Sequence, residues 1–122
     1  MAVTPAIIVN CTQAREEPER ATLSFVVGNV SAMADQPTVV LLTIDGVWLA
    51  TPGYADDIAH AGMPPLKDVM ASFVAAGGQI WACGACTGPR GITATDLVDG
   101  ATIVTAAMVV EAMVGGARTM SF

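Results

Sequence analysis

Two short, unbroken apolar runs constrain the fold of this chain more than any other feature. Ala6-Ile7-Ile8-Val9-Asn10-Cys11 follows Pro5, and Thr38-Val39-Val40-Leu41-Leu42-Thr43-Ile44 follows Pro37. A strand with one wet face alternates apolar and polar residues, whereas a strand covered on both faces reads as a continuous run rich in β-branched side chains. Strands of that kind belong to parallel sheets enclosed by helices, and the segment between these two runs carries helical signals. Pro18 suits the first turn of a helix, and Glu16, Glu17 and Glu19 suit its positive end. The spacing of Leu23, Val26, Val27, Val30 and Met33 predicts a helix to about Ala34, with that stripe toward the core and Phe25 on a second, intersubunit face.

The alternation continues along the chain. Val47 to Pro64 is irregular and predicts a short helical turn followed by a surface excursion. Pro64-Pro65 opens a helix from Leu66 to Ala76, with Leu66, Val69, Met70, Phe73 and Val74 on one face and Gly77-Gly78 as its stop. Gln79 to Cys83 reads as the third strand, Thr95 to Gly100 as a brief capped turn, and Ala101 to Val104 as a fourth strand. Thr105 caps a helix to about Val114 that ends at Gly115-Gly116, and Arg118 to Phe122 is the last strand. The expected architecture is one domain over residues 1–122, an α/β fold in three α/β/α layers around a mainly parallel sheet of about five strands.

Composition narrows the partners. The five Lys and Arg residues, in a chain of net charge −6, are scattered at Arg15, Arg20, Lys67, Arg90 and Arg118, so no cationic cluster is available to neutralise phosphates and nucleic acid is excluded. The uncharged stretches Ala21 to Ala34 and Gly100 to Val110 fall short of the roughly 20 residues a membrane helix needs, and Met1 to Pro5 lacks a basic leader, so a cytoplasmic protein with no membrane partner is expected. Hydrophobic residues make up 53% of the chain and charged ones 13%, against about 25% charged in ordinary domains. That surplus of apolar surface predicts a homo-oligomer.

Ligands of open α/β sheets bind beyond the carboxyl ends of the strands. Cys11, Asp45 and Cys83 fall at those ends, and Cys83 opens the motif Cys83-Gly84-Ala85-Cys86. A thiol in a loop with backbone N–H groups, a second thiol and the nearby Arg90 has the surroundings that promote the reactive thiolate. C-x-x-C in such a chain also reads as a dithiol pair or as half a metal site. The four residues Cys11, His60, Cys83 and Cys86 contain only one pair at ligand spacing, so no metal is expected. No G-x-G-x-x-G and no Walker-type glycine loop with lysine occurs, and no cofactor is expected either. Cys11 reads as core, His60 as a solvated loop residue, Asp45 as part of an Asp-Gly turn, and Trp48, Tyr54 and Trp81 as core or interface aromatics.

Ile80-Trp81-Ala82-Cys83, with Arg90-Gly91-Ile92 beyond it, resembles the active-cysteine loop of the DsrE/DsrF-like family, which includes TusD-type sulfur-relay proteins. Glu19-Arg20-Ala21, Thr43-Ile44-Asp45-Gly46-Val47, Pro65-Leu66-Lys67 and Ala75-Ala76-Gly77-Gly78 extend that similarity over nearly the whole chain. The resemblance implies a DsrE/F-like α/β/α domain, cytoplasmic homotrimers or homohexamers, and a cysteine that carries sulfane sulfur as a persulfide, at the position of Cys83. Cys86 lies outside that relay pattern.

The expected function is therefore a sulfur carrier or low-turnover sulfurtransferase acting through Cys83, with Cys86 and Arg90 completing the site. Its partners would be sulfur-donor and sulfur-acceptor proteins or small sulfur anions, which Arg90 could bind. Two alternatives stay open: a dithiol redox protein using Cys83 and Cys86, and a non-catalytic oligomeric module whose cysteines only pack.

Overall fold

The computed structural model describes residues 4–122; the expectation that Met1 to Pro5 forms no basic leader falls largely on residues 1–3, which lie outside the described residues. In chain order the elements are β1 (Ile7–Cys11), α1 (Pro18–Met33), β2 (Thr38–Leu42), a 3-10 helix (Ile44–Ala50), α2 (Leu66–Ala75), β3 (Gln79–Cys83), the short α3 (Gly84–Thr87), a 3-10 turn (Gly88–Arg90), β4 (Ala101–Val104), α4 (Ala106–Val114) and β5 (Arg118–Ser121). The sheet runs β4-β3-β2-β1-β5, and every adjacent pair is parallel.

Handedness distributes the helices. Steps from β1 through β4 all move the same way across the sheet, so right-handed crossovers place α1, α2 and α3 on one face. The step from β4 to β5 reverses that direction and sends α4 to the other face, completing three layers. The core follows this division. Val9, Val40, Leu42, Ile80 and Ala82 point toward α1 and α2, while Ile8, Val39, Leu41, Trp81 and Val104 form a smaller cluster with Ala112 of α4. The two inner runs are thus buried on both faces, as their unbroken apolar sequence requires.

The stripe expected on α1 is corrected in part: Val26 and Val27 pack against the core from half-buried positions, but they are not its centre. Ala21, Thr22, Ser24, Phe25, Gly28 and Ala32 are its buried residues, whereas Val30 and Met33 are 65% and 67% exposed. Phe25 is core, not interface: its ring meets Phe73 of α2 edge-on, with centroids 5.8 Å apart. The reason is space. A Cβ at Gly28 would stand 2.9 Å from Val40 Cγ2 and 3.3 Å from Phe73, so a side of small residues lets α1 approach both sheet and α2 more closely than aliphatic side chains would. The buried hydroxyls on this side bond back into the helix, Thr22 to the Pro18 carbonyl and Ser24 to that of Ala21, each at 2.7 Å.

Other boundaries shift by little. β2 ends at Leu42 rather than Ile44, because Ile44 already turns into the 3-10 helix. On α2 the buried residues are Leu66, Val69, Met70 and Phe73, the expected face. Among the described residues no helix is long and apolar enough to cross a membrane.

Candidate functional site

The strand order makes neighbours of the three ends that carry chemistry. Cys11 registers with Leu42, and Leu42 with Ala82, so β1, β2 and β3 finish side by side and their exit loops share one rim. Two of those loops build the candidate site.

The first is the turn leaving β2. Thr43 donates its N–H to the Cys11 carbonyl at 3.0 Å and its hydroxyl to Asn10 Oδ1 at 3.0 Å, tying the turn to β1. Gly46 then passes so close to the Cys11 carbonyl that any Cβ would collide with it. Between them Ile44 has φ +56°, the left-handed region that a β-branched residue rarely occupies.

The second is the loop leaving β3. Cys83 ends the strand and is the N-cap residue of α3, and Cys86 is the third residue of that helix. C-x-x-C therefore opens a helix here, directly from a strand end. α3 runs on through the Gly88–Arg90 turn, which Gly91 stops at φ +71°. Residues three apart on one helical turn share a side, so the geometry sets the two thiols on the same edge of the loop.

The loops meet at Cys86 and Arg90. Ile44 donates its N–H to Cys86 Sγ at 3.1 Å. Arg90 gives Nε and Nη2 to Asp45 Oδ1 at 3.3 and 2.9 Å, and Nη1 to the Cys86 carbonyl at 3.0 Å. The guanidinium thus fixes the loop to the β2 turn, a fork geometry suited to holding carboxylate and carbonyl together. Cys83 and Cys86 are free thiols, half-buried against the core.

The remaining predicted residues lie apart from this cluster. Cys11 shares the rim but is fully buried, and its Sγ donates to the Gln13 carbonyl at 3.1 Å. Burial pushes its thiol above the ordinary range, outweighing the opposite effect of hydrogen bonding with the Ser24 side chain and the Gln13 backbone, and Glu16 adds a smaller push upward. Such a thiol is inert packing. His60 pairs with Glu19 at 3.4 Å, away from any cysteine. Trp48 stacks on Tyr54 at 6.1 Å, and Arg15 lies over the Tyr54 ring at 4.3 Å, while Trp81 is core on the α4 side. A cavity of about 390 Å³ opens between α2 and the 51–56 loop, walled by Leu49, Met70, Val74 and Ile80, and includes none of the thiols.

In the sequence Ile44 reads as the last residue of a strand, and Asp45 as a strand-end residue in an Asp-Gly turn on the same rim; neither is linked there to the thiol loop. No local pattern could have paired Asp45 with Arg90, since the contact depends on β2 and β3 being neighbours.

Comparison with known proteins fits this architecture. The chain superposes on the YchN protein of Escherichia coli with a TM-score of 0.72 and 16% identity, over 97% of this chain and 99% of that one. It superposes on MTH1491 of Methanobacterium thermoautotrophicum, a protein of unknown function, with a TM-score of 0.65 and 17% identity, over 95% and 97% of the two chains. In sequence it is 28% identical, over 82 residues, to the uncharacterized protein MJ0760 of Methanocaldococcus jannaschii, a match spanning 67% of this chain but only 30% of that relative. The model of the DsrE/DsrF-like family matches residues 6–122, which is nearly the entire chain. By that match, and with the five-stranded parallel sheet and its thiol-bearing rim in place, the chain belongs to the DsrE/DsrF-like family.

Proposed function

We propose that this protein carries sulfane sulfur as a persulfide on Cys83, acting as a relay or low-turnover sulfurtransferase. The observation that carries the reading is the contrast among the three free thiols. Cys11 is sealed in the core, whereas Cys83 and Cys86 sit half-buried at the end of β3, in a loop pinned to the turn that leaves β2. The Cys83 thiolate would attack the outer sulfur of a donor persulfide, releasing the donor thiolate, and an acceptor thiolate would later take the sulfur by the same displacement. A reducing cytoplasm would keep both thiols free for this work.

Partners follow from the surface. α4 covers its sheet face with Ala112 yet leaves Val110 57% and Val114 84% exposed, with Met108 and Met113 also outward and Glu111 its one charged residue. A helix apolar on nearly every side is normally covered. The reading therefore includes a homotrimer or homohexamer closed over α4, working with donor and acceptor proteins or small sulfur anions.

Intact-mass measurement after exposure to polysulfide tests the proposal. Wild-type protein should gain the mass of one sulfur atom, reversibly by a thiol reductant, and Cys83→Ser should take up far less, with any sulfur it gains on Cys86; equal uptake by Cys83→Ser would sink it. One observation favours a second reading, since Cys83 and Cys86 flank the first turn of α3 as redox dithiols do. A dithiol protein would instead lose two hydrogens on mild oxidation and take up no sulfur.

A further inference from the structure

We propose that Ile44 is a positioning residue whose left-handed backbone aims an amide N–H at the Cys86 sulfur, so that sulfur exchanged between the two thiols comes to rest on Cys83. The inference depends on the persulfide reading above and assigns Cys86 a role within it, as the leaving group.

A β-branched residue at φ +56° costs on the order of 1–3 kcal/mol relative to an ordinary conformation. Packing offsets that cost only in part, because Ile44 remains 53% exposed. What the conformation achieves is the direction of its N–H, which meets Cys86 Sγ at 3.1 Å. The turn is held from both sides. Thr43 is bonded to the Cys11 carbonyl, Gly46 N–H to the Thr43 carbonyl, and Asp45 to Arg90, whose other donor grips the peptide of Cys86 itself. Donor and sulfur are thereby fixed to one another before any reaction.

The exchange balances without an outside reagent. A thiolate on Cys83 attacks the outer sulfur of Cys86–S–SH and a new S–S bond forms. The old S–S bond breaks with its electron pair on the Cys86 sulfur, and the proton stays with the transferred atom. Oxidation states are conserved. Negative charge therefore moves from Cys83 to Cys86, the sulfur that faces the Ile44 N–H. A donor fixed where charge develops stabilises both that transition state and its product. Among the described hydrogen bonds Cys83 has no matching backbone donor at its sulfur. Two thiols that look equivalent in C-x-x-C are made unequal by a residue 42 positions away from Cys86.

The test replaces Ile44 by its α-hydroxy acid, which turns the Thr43–Ile44 amide into an ester. That deletes the Ile44 N–H and weakens the Thr43 carbonyl, which accepts from Gly46 N–H. The same replacement at Gly46 removes that second bond but keeps the Ile44 N–H; it is the control and should leave the ratio of sulfur on Cys83 to that on Cys86 near its wild-type value. Protein is equilibrated with less than one equivalent of polysulfide, trapped by a fast alkylating agent, and the extra sulfur is located on Cys83 or Cys86 by peptide fragmentation. Loss of one hydrogen bond to an anion should lower the Cys83:Cys86 ratio about tenfold. Ile44→Gly keeps both the N–H and a permitted left-handed backbone, and should restore the ratio to near its wild-type value. Asp45→Ala, which frees the turn from Arg90, should move the ratio in the ester's direction by a smaller factor, and decides the matter alone if the ester protein does not fold. A ratio unmoved in the ester or, failing that, in Asp45→Ala overturns the role of Ile44 while sulfur uptake on Cys83 leaves the carrier reading standing. No uptake by wild-type protein overturns both.

Discussion

Asp45 and Arg90, 45 positions apart, share a single carboxylate oxygen: Oδ1 accepts from Nε and from Nη2 of the guanidinium. The contact joins the exits of β2 and β3 and so decides the shape of the thiol loop. It is only partly shielded from water, with the Arg90 side chain 25% and the Asp45 side chain 50% exposed.

Partial exposure makes this pair weak for stability and decisive for geometry. Asp45→Asn and Arg90→Gln, alone and combined, should give a coupling of about 0.5–1 kcal/mol in urea unfolding. Sulfur uptake should fall more in each variant than stability alone predicts. Arg90→Lys should not rescue it, because an ammonium cannot span Asp45 and the Cys86 carbonyl together. Uptake that tracks stability across the series would reduce the pair to a surface ion pair.

Cys11 gives the fold a pH dependence of known sign. Its thiol is pushed above the ordinary value of 9.0, chiefly by burial, so the folded state holds a proton that the unfolded chain releases. Stability from this group is complete below that unfolded value and declines as pH rises toward the higher folded one. Urea midpoints of wild type and Cys11→Ala should therefore converge as pH is raised beyond about 9. Parallel midpoints over that range would show that Cys11 does not titrate between the two states.

The contact between α1 and α2 is tight enough to punish an added methyl group. Gly28→Ala improves helix propensity by up to about 1 kcal/mol. Its Cβ would nevertheless press on Val40 and Phe73, and the net change should be a loss of about 1–3 kcal/mol. Phe73→Leu, made in the Gly28→Ala background, should cost less than in wild type because it yields the space the methyl group needs. Chemical denaturation of the four proteins measures this directly, and strict additivity would refute it.

Assembly can be probed on α4 without touching the sheet. Val114→Asp and Met113→Asp place a carboxylate on outward positions of that helix. If copies of the chain cover it, sedimentation velocity should show the wild-type oligomer reduced to smaller species with native circular dichroism. An unchanged sedimentation profile would assign the apolar side of α4 to something other than self-association.

Much of the fold was legible because its signals are local. The doubly buried strands announced themselves at Val39 to Leu42, and α2 at Leu66, Val69, Met70 and Phe73, where period and caps agree. The stripe read on α1 holds only in part, with Val26 and Val27 against the core but Val30 and Met33 outward, since large aliphatics mark the core only when there is room for them. Here Gly28 and Ala32 face inward because Phe73 and Val40 already fill the space. Of the candidate site, both thiols and Arg90 were visible as residue types at strand ends. What holds them was not visible, because a backbone N–H leaves no trace in a sequence and Ile44 looks like the last residue of a strand.

The order of the strands also sets how the molecule can come apart. β1 through β4 are joined by successive crossovers between neighbours, whereas β5 pairs with β1 across almost the full length of the chain, Ile7 with Arg118 and Asn10 with Ser121. Closing so long a loop delays that pairing during folding. α4 and β5 therefore form the unit most readily released from the rest, and its departure would bare Ile8, Val39, Leu41 and Trp81 together. In the monomer, amide protons of β5 should exchange well before those of β2. Any assembly that clamps α4 would slow that opening, and so protect the chain against proteolysis as well as against cross-pairing of its freed sheet edge.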